Sequence, residues 1–252
     1  MANGKSKLPT GIEESFATDG ALGLEGITTS DIQIPFVRIF QALSPQLKKS
    51  DPAYIEGADQ GDIFNTVTNK VWGAEEGVLV LPVHYQMKLL EFVPRQQGGG
   101  FVGELSANSN EVRGALRDKD TGQELLDNGN ELVRTAQHYV KIVHDDGELE
   151  NAIVDMKKTQ LKKSRLWNTM MLMQKHNGAP VPSFAKTYRL TSVEDGNDKG
   201  DWHSWKIALE GTVPSLEAYN QAKELHGSIS RGELQIAPPA SDQVGQIEEP
   251  PF

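Results

Sequence analysis

The chain contains no cysteine among its 252 residues. Disulfides and thiolate metal sites are thereby excluded, and a reducing compartment is the expected setting. No apolar run approaches the roughly 20 residues that a membrane span requires, and the opening MANGKSKLPTGIEES lacks an apolar signal core. A soluble, intracellular protein with no membrane partner is expected. The glycine-rich QQGGGF lacks the Gly-Lys-Ser/Thr ending of a P-loop, and there is no Gly-x-Ser-x-Gly elbow. His84, His138 and His144 read as strand-face residues rather than ligands. The sequence thus implies no cofactor, no metal and no catalytic residue.

Two further absences are local. From Met156 to Val193 there is no Asp or Glu, while Lys157, Lys158, Lys162, Lys163, Arg165, Lys175, Lys186 and Arg189 supply eight positive charges. The chain as a whole carries -10, so the remainder stands at -18. Such segregation is the footprint of a localised phosphate-binding surface on an acidic protein. The plainer reading is one solvated basic helix. After Arg231 there is no Lys or Arg at all, and IAPPASDQVGQIEEPPF cannot bury enough apolar surface to fold alone.

Residues 1–30 mix Gly, Ser, Thr and acids without periodicity and read as disordered. Order is expected from IQIPFVRIFQAL onward. GVLVLPVHYQMKLLEFVPR has the composition of one long strand or two short ones, with Pro82 at an edge or bend. The stretch from Gln96 to about Asn130 reads as an excursion of loops and a hairpin. QHYVKIVHDDGELENAIVDM alternates on both sides of Asp-Asp-Gly, as a β-hairpin does. TQLKKSRLWNTMMLMQKH reads as one helix capped by Thr159 and stopped at Asn177-Gly178. SFAKTYRL and DWHSWKIALEG read as two strands, and SLEAYNQAKELHGSISRG as a closing helix capped by Ser215. The expected organisation is a disordered segment 1–30, a nucleic-acid-binding domain 31–235 and an acidic tail 236–252. The expected fold is mainly β with added helices: a Greek-key barrel like the oligonucleotide-binding (OB) fold, with loop excursions. An α+β sheet with helices on one face is the alternative.

On a helix, Lys158, Lys162 and Arg165 fall within an arc of about 60°, opposite Leu166, Trp167, Met170, Met171 and Met173. One side packs and the other faces phosphates. In an extended strand Phe184, Lys186 and Tyr188 share a face, an aromatic–basic–aromatic row. Tyr139 with Lys141, and Trp202 with Lys206, make similar rows, while Trp205 reads as core. Rings that stack on any base, beside cations that follow the backbone, are how single strands are held without sequence readout. The alternative is that these aromatic residues are core. Asp155-x-Lys157 loosely matches a metal-nuclease element, but Asp155 is expected to pair near Val140, too far from Asp145 to share a cation.

QIEEPPF resembles the acidic C-terminal tip of single-stranded DNA-binding proteins from bacteria and their phages. Glu248 and Glu249 match its acids, Phe252 its terminal ring and Pro251 its penultimate proline. IPFVRIFQALSP, VDMKKTQLKKSRLWNTMM and the acidic tail together look like phage-encoded members of that family. The resemblance implies a non-enzymatic OB-fold protein of phage DNA replication, recombination or repair in the cytoplasm of an infected bacterial cell. Its partners would be single-stranded DNA and, through the tip, replication or recombination proteins; self-association into a homo-oligomer is compatible with it. The tail would compete for the cationic groove and, once displaced, serve as a handle. A phage structural or assembly protein with an acidic recruitment tail is the alternative, and a metal-dependent nuclease the third.

Overall fold

The computed structural model describes residues 12–20, 22–26, 33–119, 121–198 and 200–234. The segment read as disordered contains a two-turn helix, α1 (Ile12–Asp19), which leaves Phe16 exposed. Three short strands, β1 (Val37–Ile39), β2 (Ile63–Asn65) and β3 (Val71–Trp72), form a small antiparallel sheet. It docks on the main sheet where Phe36 bridges Ile153 and the Ile153 N–H donates to the Pro35 carbonyl at 2.9 Å.

The main sheet is built on β4 (Val78–Phe92), one strand of 15 residues. Its N-terminal end is pinned by Gly77, whose φ of 65° and approach to the Leu190 carbonyl exclude a side chain; a Cβ there would lie 2.2 Å from that oxygen. β5 (Phe101–Glu104), a short helix α2 (Asn110–Gly114), β6 (Leu116–Arg117) and β7 (Glu124–Leu125) form the excursion. It is ordered by a small core of Leu89, Leu126 and Leu132 and by the buried Glu91 carboxylate, which accepts from Asn128 and Asn130 at 2.8 and 2.6 Å.

β8 (Glu131–Val143) runs antiparallel to β4 along nearly its whole length, with a register shift between Pro82 and His84, so Pro82 marks an irregularity inside one strand. β9 (Leu149–Lys157) completes the expected hairpin around a turn at His144–Glu148. That turn is tighter than expected, and Asp155 lies opposite Gln137 rather than Val140. A 3-10 turn (Lys158–Gln160) leads into α3 (Leu161–Leu172). Thr159 lies within that 3-10 turn and does not cap the helix, and Asn177 and Gly178, both with positive φ, do not stop it, since it ends at Leu172; they turn a small hairpin, β10 (Lys175–His176) and β11 (Ala179–Pro180). A second 3-10 turn (Ser183–Ala185) precedes β12 (Lys186–Asn197) and β13 (Gly200–Thr212). The chain then forms α4 (Leu216–Ser230), where the Ser215 hydroxyl accepts from the Ala218 N–H at 3.0 Å, as its position implied.

The fold is mainly β: the sheet, ordered β13-β12-β4-β8-β7-β6, curls into an antiparallel half-barrel consistent with an OB-like barrel. Both faces of the β4–β8 ladder are covered. One packs Val80, Ala136, Val140 and Ile142 with Trp167 of α3, Tyr188 and Trp205. The other packs Leu81, Val83, Tyr139 and Ile153 under Phe184 and the Ala222, Leu225 and Ile229 side of α4. Double coverage explains why VLVLPV is a continuous apolar run rather than an alternation.

His138 is 1% exposed, stacks on Trp167 with ring centroids 4.4 Å apart, and has Nε2 2.8 Å from the Ser164 hydroxyl. Burial pushes its pKa down to about 3. The unfolded chain takes up a proton near pH 6.5, so the stability from neutral His138 is fully present above that pH and is lost as pH falls toward 3. Of the stability lost between about pH 7 and about pH 5, about 2 kcal/mol should disappear from the pH dependence in His138→Asn. Urea unfolding at the two pH values checks this; the same loss of stability between them in both proteins contradicts it.

Candidate nucleic-acid interface

A notch in the sheet gathers the cations. β9 ends at Lys157, opposite Thr135, and β7 takes over beside β8 only at Leu132. Between them β8 is uncovered, and Leu132, Val133 and Arg134 floor a cleft of about 470 Å³. The chain leaves the sheet at Lys158, which holds a left-handed φ of 49°. For a residue with a Cβ this costs on the order of 1–2 kcal/mol, and it sets the Lys158 side chain at the cleft's rim. Lys158, Lys162 and Arg165 line it from the α3 side, and Arg117 of β6 lines it together with Arg134.

Five cations line the cleft against two carboxylates, Glu124 and Glu131. Arg134 pairs with Glu124 at 2.9 Å and Lys158 with Glu131 at 3.6 Å. Lys162 and Lys163 lie 3.7 and 3.9 Å from Asp195 of β12. The start of the helix adds to the local positive potential, because its first turn carries no acid and Thr159 and Leu161 beside it line the same cleft. Cations at a helix N-terminus oppose the macrodipole by about 0.3–1 kcal/mol each. The arrangement is electrostatically unfavourable for the empty protein and suits an anion.

The expected aromatic rows do not form a surface. Phe184 belongs to the 3-10 turn before β12, so it does not continue the strand face of Lys186 and Tyr188; its ring packs against Tyr219 at 5.1 Å beneath α4. Tyr188 is 0% exposed and meets Trp167 edge-on at 5.9 Å. Tyr139 is buried on the opposite face, its hydroxyl engaged with Gln86. Burial pushes both phenols up to about 12. Lys141 is buried, with its ammonium 2.9 Å from Asn151 Oδ1, and burial lowers its pKa. Trp202 is as buried as Trp205, the one of the two that reads as core. For the strand residues the physical reason is shared: the sheet is covered on both faces where they lie, so alternation exposes neither face there. Lys157 ends β9, Lys186 opens β12 and Lys206 is exposed on β13, all three outside the cleft lining. On α3 Trp167 is buried and Met170 and Met171 pack against the same core, while Leu166 is exposed and Met173 lies past the helix end at Leu172.

Arg117 and Arg134 were not singled out from sequence. Arg117 sits in the aperiodic GALRDKD, and Arg134 joins the α3 cations only through where β9 ends. Asp155 pairs with Arg38 at 3.4 Å, both side chains nearly buried. Among the described residues no three His, Asp or Glu side chains are grouped for a metal. Glu248, Glu249, Pro251 and Phe252 lie outside the described residues.

A model of the Pam3 phage gp34-like protein family matches residues 4–235. The chain belongs to that family. No curated protein and no solved structure matches it. The gp34-like region includes the notch, its lining residues and α4, and stops short of the acidic stretch 236–252. Among the described residues of this phage protein, no helix is long and apolar enough to cross a membrane.

The burial of the rings makes Tyr188→Ala and Trp202→Ala core lesions. Each should cost about 3–5 kcal/mol, lowering the melting temperature by many degrees, while the folded fraction keeps any oligonucleotide affinity of the parent. Calorimetry with a binding titration tests this; a normally stable Tyr188→Ala protein runs against it.

Proposed function

We propose that this gp34-like chain is a non-enzymatic, sequence-nonspecific single-stranded DNA-binding protein of phage DNA replication or recombination, acting in the host cytoplasm. The observation that carries this reading is the cationic notch. Five cations converge on it in a protein of net charge -10, around a helix start with no acid of its own. A duplex offers two backbones across a major groove about 12 Å wide; cations converging on one notch suit a single backbone. Phosphate contacts supply affinity without reading bases, which accords with the nonspecific function.

The same charge logic supports a role for the acidic stretch. Asp242, Glu248 and Glu249 with no cation among them can compete weakly for the notch, and the tip with Phe252 is a recruitment handle for replication or recombination proteins.

Oligo-dT binding at two salt concentrations is the deciding experiment. Log affinity should fall with log salt, by about 0.7 per phosphate contact on a single strand. Replacing Lys158, Lys162 and Arg165 with Ala should flatten the slope by up to about 2, and Arg117→Ala or Arg134→Ala by about 0.7 each. Lys175→Ala and Lys206→Ala, exposed elsewhere, should leave it unchanged. No binding even at low salt would favour a structural or assembly role and end this reading. Deleting residues 236–252 should raise affinity modestly, most at low salt where screening is weakest; equal affinity at low salt removes the competing tail from the account.

A further inference from the structure

We infer that Tyr85 and Met87 on β4 form the surface on which bases stack when a nucleic-acid backbone lies in the cationic notch. The inference rests on the nucleic-acid reading above and names what that reading lost when the expected aromatic rows proved buried.

Cross-strand partners share a face of a sheet. Leu89 is opposite Arg134, Met87 opposite Ala136 and Tyr85 opposite His138, with no register irregularity between them. Arg134 lines the notch. Following β4 from Leu89 back to Tyr85 therefore keeps to the face of the sheet that carries Arg134, about 7 Å for each pair of residues.

Along that path the apolar cover is missing. Tyr85 is 37% and Met87 43% exposed, whereas Val78, Val80, Leu81, Val83 and Leu89 to Phe92 of the same strand are buried. β12 pairs with β4 only from Val78 to Val80, and β5 joins only at Leu90. α4 and the 3-10 turn before β12 reach as far as the Val83 carbonyl, through His226 and Ser183. Among the described residues no strand pairs with the outer edge from Leu81 to Lys88.

The exposed ring is also held in place. Tyr85 lies 5.1 Å from His138, His138 stacks on Trp167, and Trp167 meets Tyr188, so a column of rings runs from the surface into the core. A ring supported this way loses little conformational freedom on binding. Its outer face stacks on any base, and the polarisable Met87 thioether makes favourable contacts with aromatic rings. The occupant is set by continuity with the notch: bases whose phosphates the cations hold.

The test uses the full chain with oligo-dT and an abasic deoxyribose-phosphate oligomer of equal length. The unmodified protein should prefer oligo-dT. Tyr85→Ala should lose about 5- to 150-fold on oligo-dT, the span of one stacked base, with little loss on the abasic strand and an unchanged salt slope. Tyr85→Phe should retain binding, and Met87→Ala should lose less than Tyr85→Ala. Should Tyr85→Ala not fold, fluorescence of 2-aminopurine in an oligomer bound to the unmodified chain decides; absence of quenching overturns the inference. It is equally overturned by an undiminished Tyr85→Ala affinity, by equal losses on both oligomers, or by a Tyr85→Ala change confined to self-association, which would mark the surface as a contact between copies. Failure of the unmodified chain to bind either oligomer at low salt is a different result, for it removes the nucleic-acid reading itself.

Discussion

The pairing of β4 with β8 is the constraint on which the rest depends. It joins Val80–Phe92 to Glu131–Ile142, and layers on both faces exclude water from most of it. Such a ladder is largely apolar on both sides where it is covered, and buried polar side chains such as His138 and Lys141 are partnered within the protein, by Ser164 and Asn151, so alternation does not mark a face that meets water there. Its neighbours are shorter than it is. β9 has nine residues, and β12 touches β4 at three. Where they stop, the edges of the ladder are unpaired: at Val133–Arg134 on one side, and from His84 to Lys88 on the other. The candidate site is thus a consequence of unequal strand lengths. Polar and exposed groups occur in the middle of a long ladder because the layers above it run out.

Electrostatics then separates this uncovered region from ordinary surface. The protein repels anions over most of its area and concentrates cations where β9 hands over to α3. Three features there each cost stability: the left-handed Lys158, the basic first turn of α3, and an N-terminus with no side-chain cap. Gln160, at the capping position, is committed elsewhere, accepting from Ser204 and the Trp205 N–H and donating to the His203 carbonyl. Strain and like charge at one corner of a fold are tolerable where a ligand relieves them.

Elements defined by local pattern were legible in the sequence. The hairpin read over 137–156, the bodies of the two main helices and the Ser215 cap depend on neighbours a few residues apart; the structure carries them with longer hairpin strands and an earlier end to α3. The cations Lys158, Lys162 and Arg165 were legible as a cluster for the same reason. Arg117 and Arg134 were not, because they join the cluster through pairing between distant segments. The aromatic rows went wrong in an informative way. Period-two alternation says which residues share a face; it says nothing of whether that face meets water. Phe184 illustrates a second limit, since a 3-10 turn at Ser183–Ala185 breaks the alternation one residue before the strand begins. Tyr85 does not stand out because GVLVLPVHYQMKLLEFVPR reads as strand composition throughout, and only the layers above distinguish a covered residue from an open one.

The notch is not an idle positive surface even without a ligand. Glu131 lies 3.6 Å from Lys158, Glu124 pairs with Arg134, and Asp195 lies within 4 Å of both Lys162 and Lys163. These pairs are at least partly solvated, Lys162 being 60% exposed at its side chain. Exposed pairs of this kind contribute about 0–1 kcal/mol each. A phosphate approaching the notch therefore competes with internal carboxylates held only weakly, and those carboxylates keep the cations oriented until it arrives. Each exchange trades one solvated contact for another, so binding built from them is reversible, sensitive to salt and indifferent to base identity. Discrimination of a strand with bases from a bare backbone has to come from a group outside the ion pairs, and the exposed end of the aromatic column is the feature continuous with the notch that has the chemistry for it.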